Sequence, residues 1–308
     1  MRNEFSFISS DKATKIHAVE WRPEAEIKAV LQISHGMQEY IKRYDLFAEY
    51  LSGKGYLVVG HDHLGHGESV VGDEPRGFFN VEKGNEYLIA DIHKLRRHTQ
   101  EQYPDVPYFV LGHSMGSFLI RQYIMMHGKG LAGAIIMGTG SQPGATLKAG
   151  KAICHISAQR KGWDGTSDKI DAMAFGAYNK GFVNPRTTHD WLTKDTTIVD
   201  KYLADPMCNY QFTVNGYYQM FRGIEFIQKK ANISRIPKEL PLFLVSGSED
   251  PVGHNGKDVE ALCDQYRKTG LNVSLKIYPG DRHEILNEID KEIVFEDLYN
   301  WMEDIRVG

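Results

Sequence analysis

Short, near-continuous apolar runs alternate along the chain with longer stretches whose apolar residues recur every three to four positions. The runs are KAVLQIS (Lys28–Ser34), YLVVGHD (Tyr56–Asp62), PYFVLG (Pro107–Gly112), LAGAIIMG (Leu131–Gly138), LPLFLVSG (Leu240–Gly247) and NVSLKIYP (Asn272–Pro279). The helical stretches cover Tyr44–Lys54, Gly84–Gln102, Ser117–His127, Gly256–Thr269 and Lys291–Arg306. Near-continuous apolar strands separated by amphipathic helices predict an α/β fold, a mostly parallel sheet covered on both faces. Two N-terminal segments, NEFSFIS and KIHAVEW, alternate only partly, which suits antiparallel edge strands. Between about Thr139 and Ile236 the rhythm stops. That stretch has short helical patterns, many aromatics and no convincing strand, yet it mixes polar and apolar residues too evenly for disorder. The predicted organisation is a core from residues 1–138 and 237–308, interrupted by a mainly helical insertion at 139–236 folded over one edge of the sheet.

Composition narrows the classes. The 308 residues are 42% hydrophobic and 25% charged, ordinary for a globular protein, with a formal net charge of −4. Basic and acidic residues are interspersed, so nothing predicts a nucleic-acid partner or a polybasic membrane patch. No apolar run is long enough to span a bilayer, and the N-terminus lacks the apolar core of a signal peptide. Three well-separated cysteines, Cys154, Cys208 and Cys263, fit a reducing compartment without a disulfide framework. A cytoplasmic location is the expectation.

Chemistry enters at VPYFVLGHSMGSFLIRQYIMMH, Val106 to His127. Ser114 sits between a predicted strand and a predicted helix, with Gly112 and Gly116 two residues to either side. A strand that turns at once into a helix forces one residue into a crowded backbone conformation. The flanking glycines then let strand and helix approach. The serine hydroxyl would project from the sheet edge beside the helix N-terminus, the arrangement of a G-x-S-x-G nucleophile. The competing reading makes Ser114 a plain helix N-cap.

A serine nucleophile needs a base oriented by a third group, in the chain order serine, acid, histidine for this kind of turn. Glu249 and Asp250 follow the penultimate strand in VSGSEDPVGHNG, and His283 follows the last strand in YPGDRHEILNE. Asp250, deeper in the turn before Pro251 and Val252, is the preferred acid; Glu249 is expected to stay solvated. An anion trap for the tetrahedral intermediate would use the backbone N–H groups of Met115 and Met37. The second comes from LQISHGMQEY after the first long strand, where Gly36 leaves the substrate's approach open.

His61, Asp62, His63 and His66 cluster in VVGHDHLGHGES, but their spacing matches no strong zinc pattern. A hydrogen-bonded loop beside the site is expected there, and no metal. GTGSQPG (Gly138–Gly144) lacks the Lys-Ser/Thr ending of a phosphate loop, and no G-x-G-x-x-G follows the first strand. No cofactor is expected.

Taken together, SHGMQEYIKRYDLFAEYLSGKGYLVVGHDHLGHGES, LGHSMGSFLIRQY, VSGSEDPVG and PGDRHEILNE resemble the α/β-hydrolase superfamily. The likeness is to its branch of monoacylglycerol lipases, lysophospholipases and serine aminopeptidases. DWLTKD and KYLADPMCNYQFT extend it to bacterial lysophospholipase-type members, so it covers nearly the whole chain. One departure is Gln38-Glu39-Tyr40 ahead of Arg43-Tyr44, where many relatives carry a histidine in place of Tyr40. The resemblance implies Ser114 as nucleophile, Asp250 as acid, His283 as base, and Met37 and Met115 as oxyanion donors. It also implies a cap built from the insertion, whose apolar residues (Ile153, Ile156, Met173, Phe175, Tyr178, Phe182, Trp191, Phe212, Tyr217, Tyr218, Met220 and Phe221 among them) would supply an acyl-chain pocket. Gly36, Phe182, Trp191 and Tyr217 are taken as substrate-contacting positions.

The expected function is hydrolysis of carboxylic esters of single-chain lipids such as monoacylglycerol or lysophospholipid. The expected partner is a small ester substrate, with at most transient membrane contact; monomer and homodimer are both open. Alternatives are a peptidase or amidase, gripping a free amine with Glu39, Asp171, Asp190 or Asp195, and lactone or C–C hydrolysis on the same triad. The last is a ligand-binding protein without catalysis.

Overall fold

The computed structural model describes residues Met1–Gly308. Its frame is one eight-stranded sheet: β1 (Arg2–Ile8), β2 (Lys15–Trp21), β3 (Ala29–Ser34), β4 (Tyr56–His61), β5 (Tyr108–His113), β6 (Gly133–Met137), β7 (Leu242–Gly247) and β8 (Val273–Tyr278). They lie in the order β1-β2-β4-β3-β5-β6-β7-β8. β1 and β2 pair antiparallel, β2 pairs antiparallel with β4, and every other neighbour is parallel. All six runs read as strands are strands. Of the two expected edge strands only β1 is an edge; β2 lies between β1 and β4 and is largely buried.

Alternate strand residues face opposite sides, and from β3 to β7 both sides are covered, which is why those strands carry no polar alternation. On one face Leu31, Ile33, Val58, Leu111 and Val245 pack beneath α1 (Asp45–Gly53) and α10 (Lys291–Val307). On the other, Val30, Val59, Val110, Ile136 and Leu244 pack beneath α2 (Gly84–Gln102), α3 (Met115–His127) and α9 (Lys257–Lys268). Register matters for the site. Ser34 pairs with Gly112, His113 with Met137, Met137 with Val245, and Gly247 with Tyr278. The loops leaving β3, β5, β6, β7 and β8 therefore emerge along one edge.

Between β6 and β7 the chain forms α4 (Gly144–Lys161), α5 (Asp168–Phe175), α6 (Thr196–Ala204), α7 (Val214–Ile227) and α8 (Lys230–Ile233), with a single isolated bridge, Thr166 to Thr213. Asp195 caps α6 by accepting from Thr197 N–H at 2.9 Å, and Thr213 caps α7 by accepting from Gly216 N–H at 3.0 Å. The helix α7 is fastened to the core: Gln219 donates to the carbonyls of Asn80 and Val81 at 2.9 and 3.0 Å. No helix is long and apolar enough to cross a membrane. The three cysteines are buried and unpaired.

Candidate active site

Ser114 joins β5 to α3 with φ at +53° and ψ at −120°. A β-carbon makes that left-handed region costly, so the conformation persists only because its surroundings fix it. Its N–H donates to Met137 O at 3.0 Å, anchoring the turn to β6. The two glycines are required by contact: a Cβ on Gly112 would lie 2.2 Å from Gly116 O, and one on Gly116 2.0 Å from Ser34 O. The side chain of Ser114 does not cap α3, which removes the N-cap reading, and it lines a cavity instead.

Asp250 and His283, 33 residues apart in sequence, meet at 2.9 Å between Oδ1 and Nδ1. Asp250 is fully buried. It also accepts from Val252 N–H at 2.9 Å and from the Ser246 hydroxyl at 3.0 Å. Burial pushes its carboxyl up, but the charge and hydrogen bond of His283, with those two donors, outweigh it and hold the carboxyl below its ordinary value. An ionised carboxylate only accepts, so Nδ1 carries the proton and Nε2 is left as the basic nitrogen. The imidazole is wedged between the Trp191 ring, centroids 5.1 Å apart, and the His113 ring at 4.7 Å. Gly138, at φ +59°, leaves room for it; a Cβ there would lie 3.1 Å from His283 Cε1. Glu249 instead points to the surface, its side chain 50% exposed and 3.9 Å from Arg282.

The loop after β3 runs against the serine. A Cβ on Gly36 would lie 3.1 Å from Ser114 Cβ and 2.6 Å from Glu39 Oε1. Glu39 accepts from Gly36 N–H, while Met37 N–H has no acceptor within the protein. Met115 is the first residue of α3, so its N–H precedes the helical ladder. The side chains of Met37 and Met115 both line the cavity.

That cavity encloses about 830 Å³, its mouth included, and thirteen of its eighteen lining residues are hydrophobic. None of the eighteen is charged. Six of the insertion's apolar residues expected to line it do so: Met173, Phe175, Tyr178, Trp191, Met220 and Phe221. Of the four expected substrate contacts, Trp191 lines the cavity and Gly36 borders Ser114. Phe182 and Tyr217 lie outside. Phe182 is covered by the Arg282 guanidinium, 4.3 Å from its ring centre, and fully buried Tyr217 donates its hydroxyl to Asp171 at 2.6 Å.

The four candidate amine-gripping carboxylates are also elsewhere. Glu39 is enclosed by Gly36, Tyr44, Arg43 and His113, Asp171 takes the Tyr217 hydroxyl, Asp190 takes the Thr187 hydroxyl, and Asp195 caps α6. Tyr40 stands away from the cavity and donates to Asp205 at 2.8 Å.

The histidine loop props the loop after β3 from below. Asp62 takes Ile41 N–H at 2.8 Å, Glu68 N–H at 2.9 Å and His17 Nδ1–H at 2.9 Å, while His63 N–H donates to His35 Nε2 at 2.9 Å. Burial pushes His61 and His66 down to about 3, so both are neutral. Sequence reading missed His113, Arg43 and Glu284 as neighbours of this site. Glu39 and Arg43, four apart in the segment that carries the family likeness, and His113, adjacent to Ser114, were the available signals.

Residues 25–290 match the family model of the serine aminopeptidases, S33. The chain belongs to this family of α/β-hydrolases. Among its relatives is the monoacylglycerol lipase of Mycolicibacterium smegmatis, 27% identical over 308 residues that cover 98% of this chain and 97% of that one. The human monoglyceride lipase is 27% identical over 299 residues, 92% of this chain and 84% of the relative. Among solved structures, the hydrolase superposes on a thermostable carboxyl esterase from Bacillus coagulans, in complex with glycerol, with a TM-score of 0.91 at 31% identity and 99% coverage of both chains. The protein is a serine hydrolase with ester hydrolase activity.

Proposed function

We propose that the hydrolase cleaves monoesters of single-chain lipids, monoacylglycerol foremost, through a triad of Ser114, His283 and Asp250. The observation that carries this reading is an uncharged, mostly apolar cavity open onto the hydroxyl of Ser114. His283 Nε2 takes the proton of Ser114 as its oxygen adds to the ester carbonyl. The N–H groups of Met37 and Met115 hold the resulting oxyanion. The imidazolium, stabilised by Asp250, gives that proton to the leaving alcohol oxygen as the C–O bond breaks. Water then attacks the acyl-serine by the same route, releasing the fatty acid and restoring the hydroxyl.

The insertion, residues 139–236, is the cap that closes this cavity. Its uncharged lining favours a neutral glycerol head over a zwitterionic or anionic one, because a buried charge without a partner is costly. The same feature weighs against the aminopeptidase alternative, since no lining carboxylate is present to pair with a free amine. The test is a substrate panel: p-nitrophenyl esters of graded chain length, monoacylglycerol, lysophosphatidylcholine and an aminoacyl anilide, with Ser114→Ala as control. Preference for long-chain monoacylglycerol supports the reading. Turnover of the anilide alone, or equal rates in wild type and variant, refutes it.

A further inference from the structure

Outside the cavity's lining, three buried ionisable side chains, Glu39, His113 and Glu284, gather around Arg43, whose side chain is 11% exposed. Arg43 is the centre. Its Nη1 donates to Glu39 Oε2 at 2.7 Å and to Glu284 Oε1 at 2.7 Å, and its Nη2 donates to Glu284 Oε2 at 2.8 Å. The contact with Glu284 is thus a two-pronged fork, the geometry that makes arginine hard to replace by lysine. The guanidinium also lies 5.0 Å from the ring centre of Tyr202 in α6.

Each carboxylate belongs to a loop the proposed chemistry depends on. Glu39 accepts Gly36 N–H and so shapes the turn that presents Met37 N–H. Glu284 is next to His283, and its own N–H donates to Leu192 O at 2.7 Å. His113 closes the circuit: Nδ1 faces Glu39 Oε1 at 3.2 Å, and Nε2 faces the carbonyl of His283 at 3.2 Å. Both are acceptors, so both ring nitrogens donate only when His113 is an imidazolium. Burial alone lowers its pKa, but the hydrogen bond and charge of Glu39 raise it above the ordinary value. With His113 protonated, two cations and two carboxylates balance within the cluster, and the Tyr44 hydroxyl, 3.1 Å from Nδ1, donates to Glu39 Oε1 at 2.8 Å.

We infer that Arg43 and Glu284 are positioning residues, a clamp that holds the loop bearing the Met37 N–H in register with the loop bearing His283. The clamp touches neither substrate nor reacting atoms. It rests on the triad proposed above and deepens it by naming what sets the distance between the oxyanion donor and the base. A simple fold staple would stabilise the protein without setting that distance.

Two variants and one rate separate these roles. Glu284→Gln keeps the shape, removes the charge from the fork and leaves Arg43 its bond to Glu39. Arg43→Met with Glu284→Leu exchanges the buried ion pair for apolar groups, a change that often leaves stability intact. With a soluble short-chain ester, kcat falls about 10-fold in the first and about 100-fold in the second, the scale of a misplacement near 1 Å, while KM stays within about twofold. Arg43→Lys does not restore the rate. Labelling of Ser114 by a fluorophosphonate slows by the same factors at full final stoichiometry; a staple would instead lower the reactive fraction and leave its rate unchanged. Wild-type kcat in either variant, or a loss confined to KM, overturns the clamp. Ser114→Ala run alongside keeps the two readings apart: if it is inactive while the clamp variants run at wild-type kcat, only the clamp falls. If Ser114→Ala itself is active, the triad falls first.

Discussion

The floor and the roof of the cavity are built differently. On the floor, Ser114, Asp250, His283 and Gly36 sit in loops at aligned strand ends, locked by buried hydrogen bonds and by glycines that admit no side chain. In the roof, α4 buries only Leu147, Gly150 and Cys154, and α5 only Ile170. Met173 lines the cavity yet is 46% exposed. The roof is tied to the core through α7, by Gln219 to Asn80 O and Val81 O, and beside the proposed base by residues 190–192. Trp191 O and Leu192 O accept from His283 N–H and Glu284 N–H, and Arg282 donates to Asp190 O at 2.6 Å. Under the proposed function this contrast separates reaction from selectivity. On the proposed reading the closely held floor carries the chemistry, and the roof, whose α4 and α5 bury few residues, selects the ester.

The largest expected effect tests the floor. Ser114→Ala lowers kcat roughly a million-fold. Ser114→Gly is equally inactive but gains about 1 kcal/mol of stability, since glycine relieves the strain at φ +53°; a thermal melt checks the second half. Asp250→Asn costs about 10⁴-fold in kcat by spoiling the tautomer of His283, whereas Glu249→Gln stays within twofold. Equal losses in these two carboxylate variants would break the assignment of the acid.

The roof should answer in a different currency. Phe221 lines the cavity and is seated there by Gly150, whose missing Cβ leaves Phe221 Cε2 free of a contact at 2.8 Å. Phe221→Ala should raise KM for long-chain esters about tenfold, with kcat on a short-chain ester within twofold. A matching loss on short and long chains would erase the division between roof and floor.

The histidines beneath the floor make stability depend on pH. Folding holds His61 and His66 at about 3, against an ordinary value of 6.5. Below pH 6.5 the unfolded chain takes up protons that these buried rings refuse, so stability falls as the pH drops toward 3. Each ring contributes a slope of about 1.4 kcal/mol per pH unit. His113 has the opposite sign. Its raised pKa adds stability that is fully present below pH 6.5 and is lost as the pH rises through its folded value. Urea melts across pH read both, and His66→Phe, stacking on Phe79 as His66 does, should flatten the acid limb.

The contrast between floor and roof is also a contrast in legibility. β3 to β7 were readable because burial on both faces leaves nearly uninterrupted apolar runs, and Ser114 and Asp250 because each follows such a run; His283 was found from its place after the last strand, β8, where VSLKIY alternates. α4 extends over eighteen residues where only short helical patterns are legible, because so few of its positions are buried that the 3.6-residue period hardly registers. Phe182 and Tyr217 show the same limit: apolar character predicts burial without saying against what. His113 acts through partners 74 and 170 residues away, a relation no local pattern carries.

The central claim is that Ser114 is acylated by neutral single-chain lipid esters. Its most direct test is intact-protein and peptide mass spectrometry after brief reaction with a long-chain fluorophosphonate. One adduct is expected, on Ser114, lost in Ser114→Ala and slowed in proportion to added monoacylglycerol but not to lysophosphatidylcholine. An adduct on another residue, or protection by lysophosphatidylcholine alone, would contradict it.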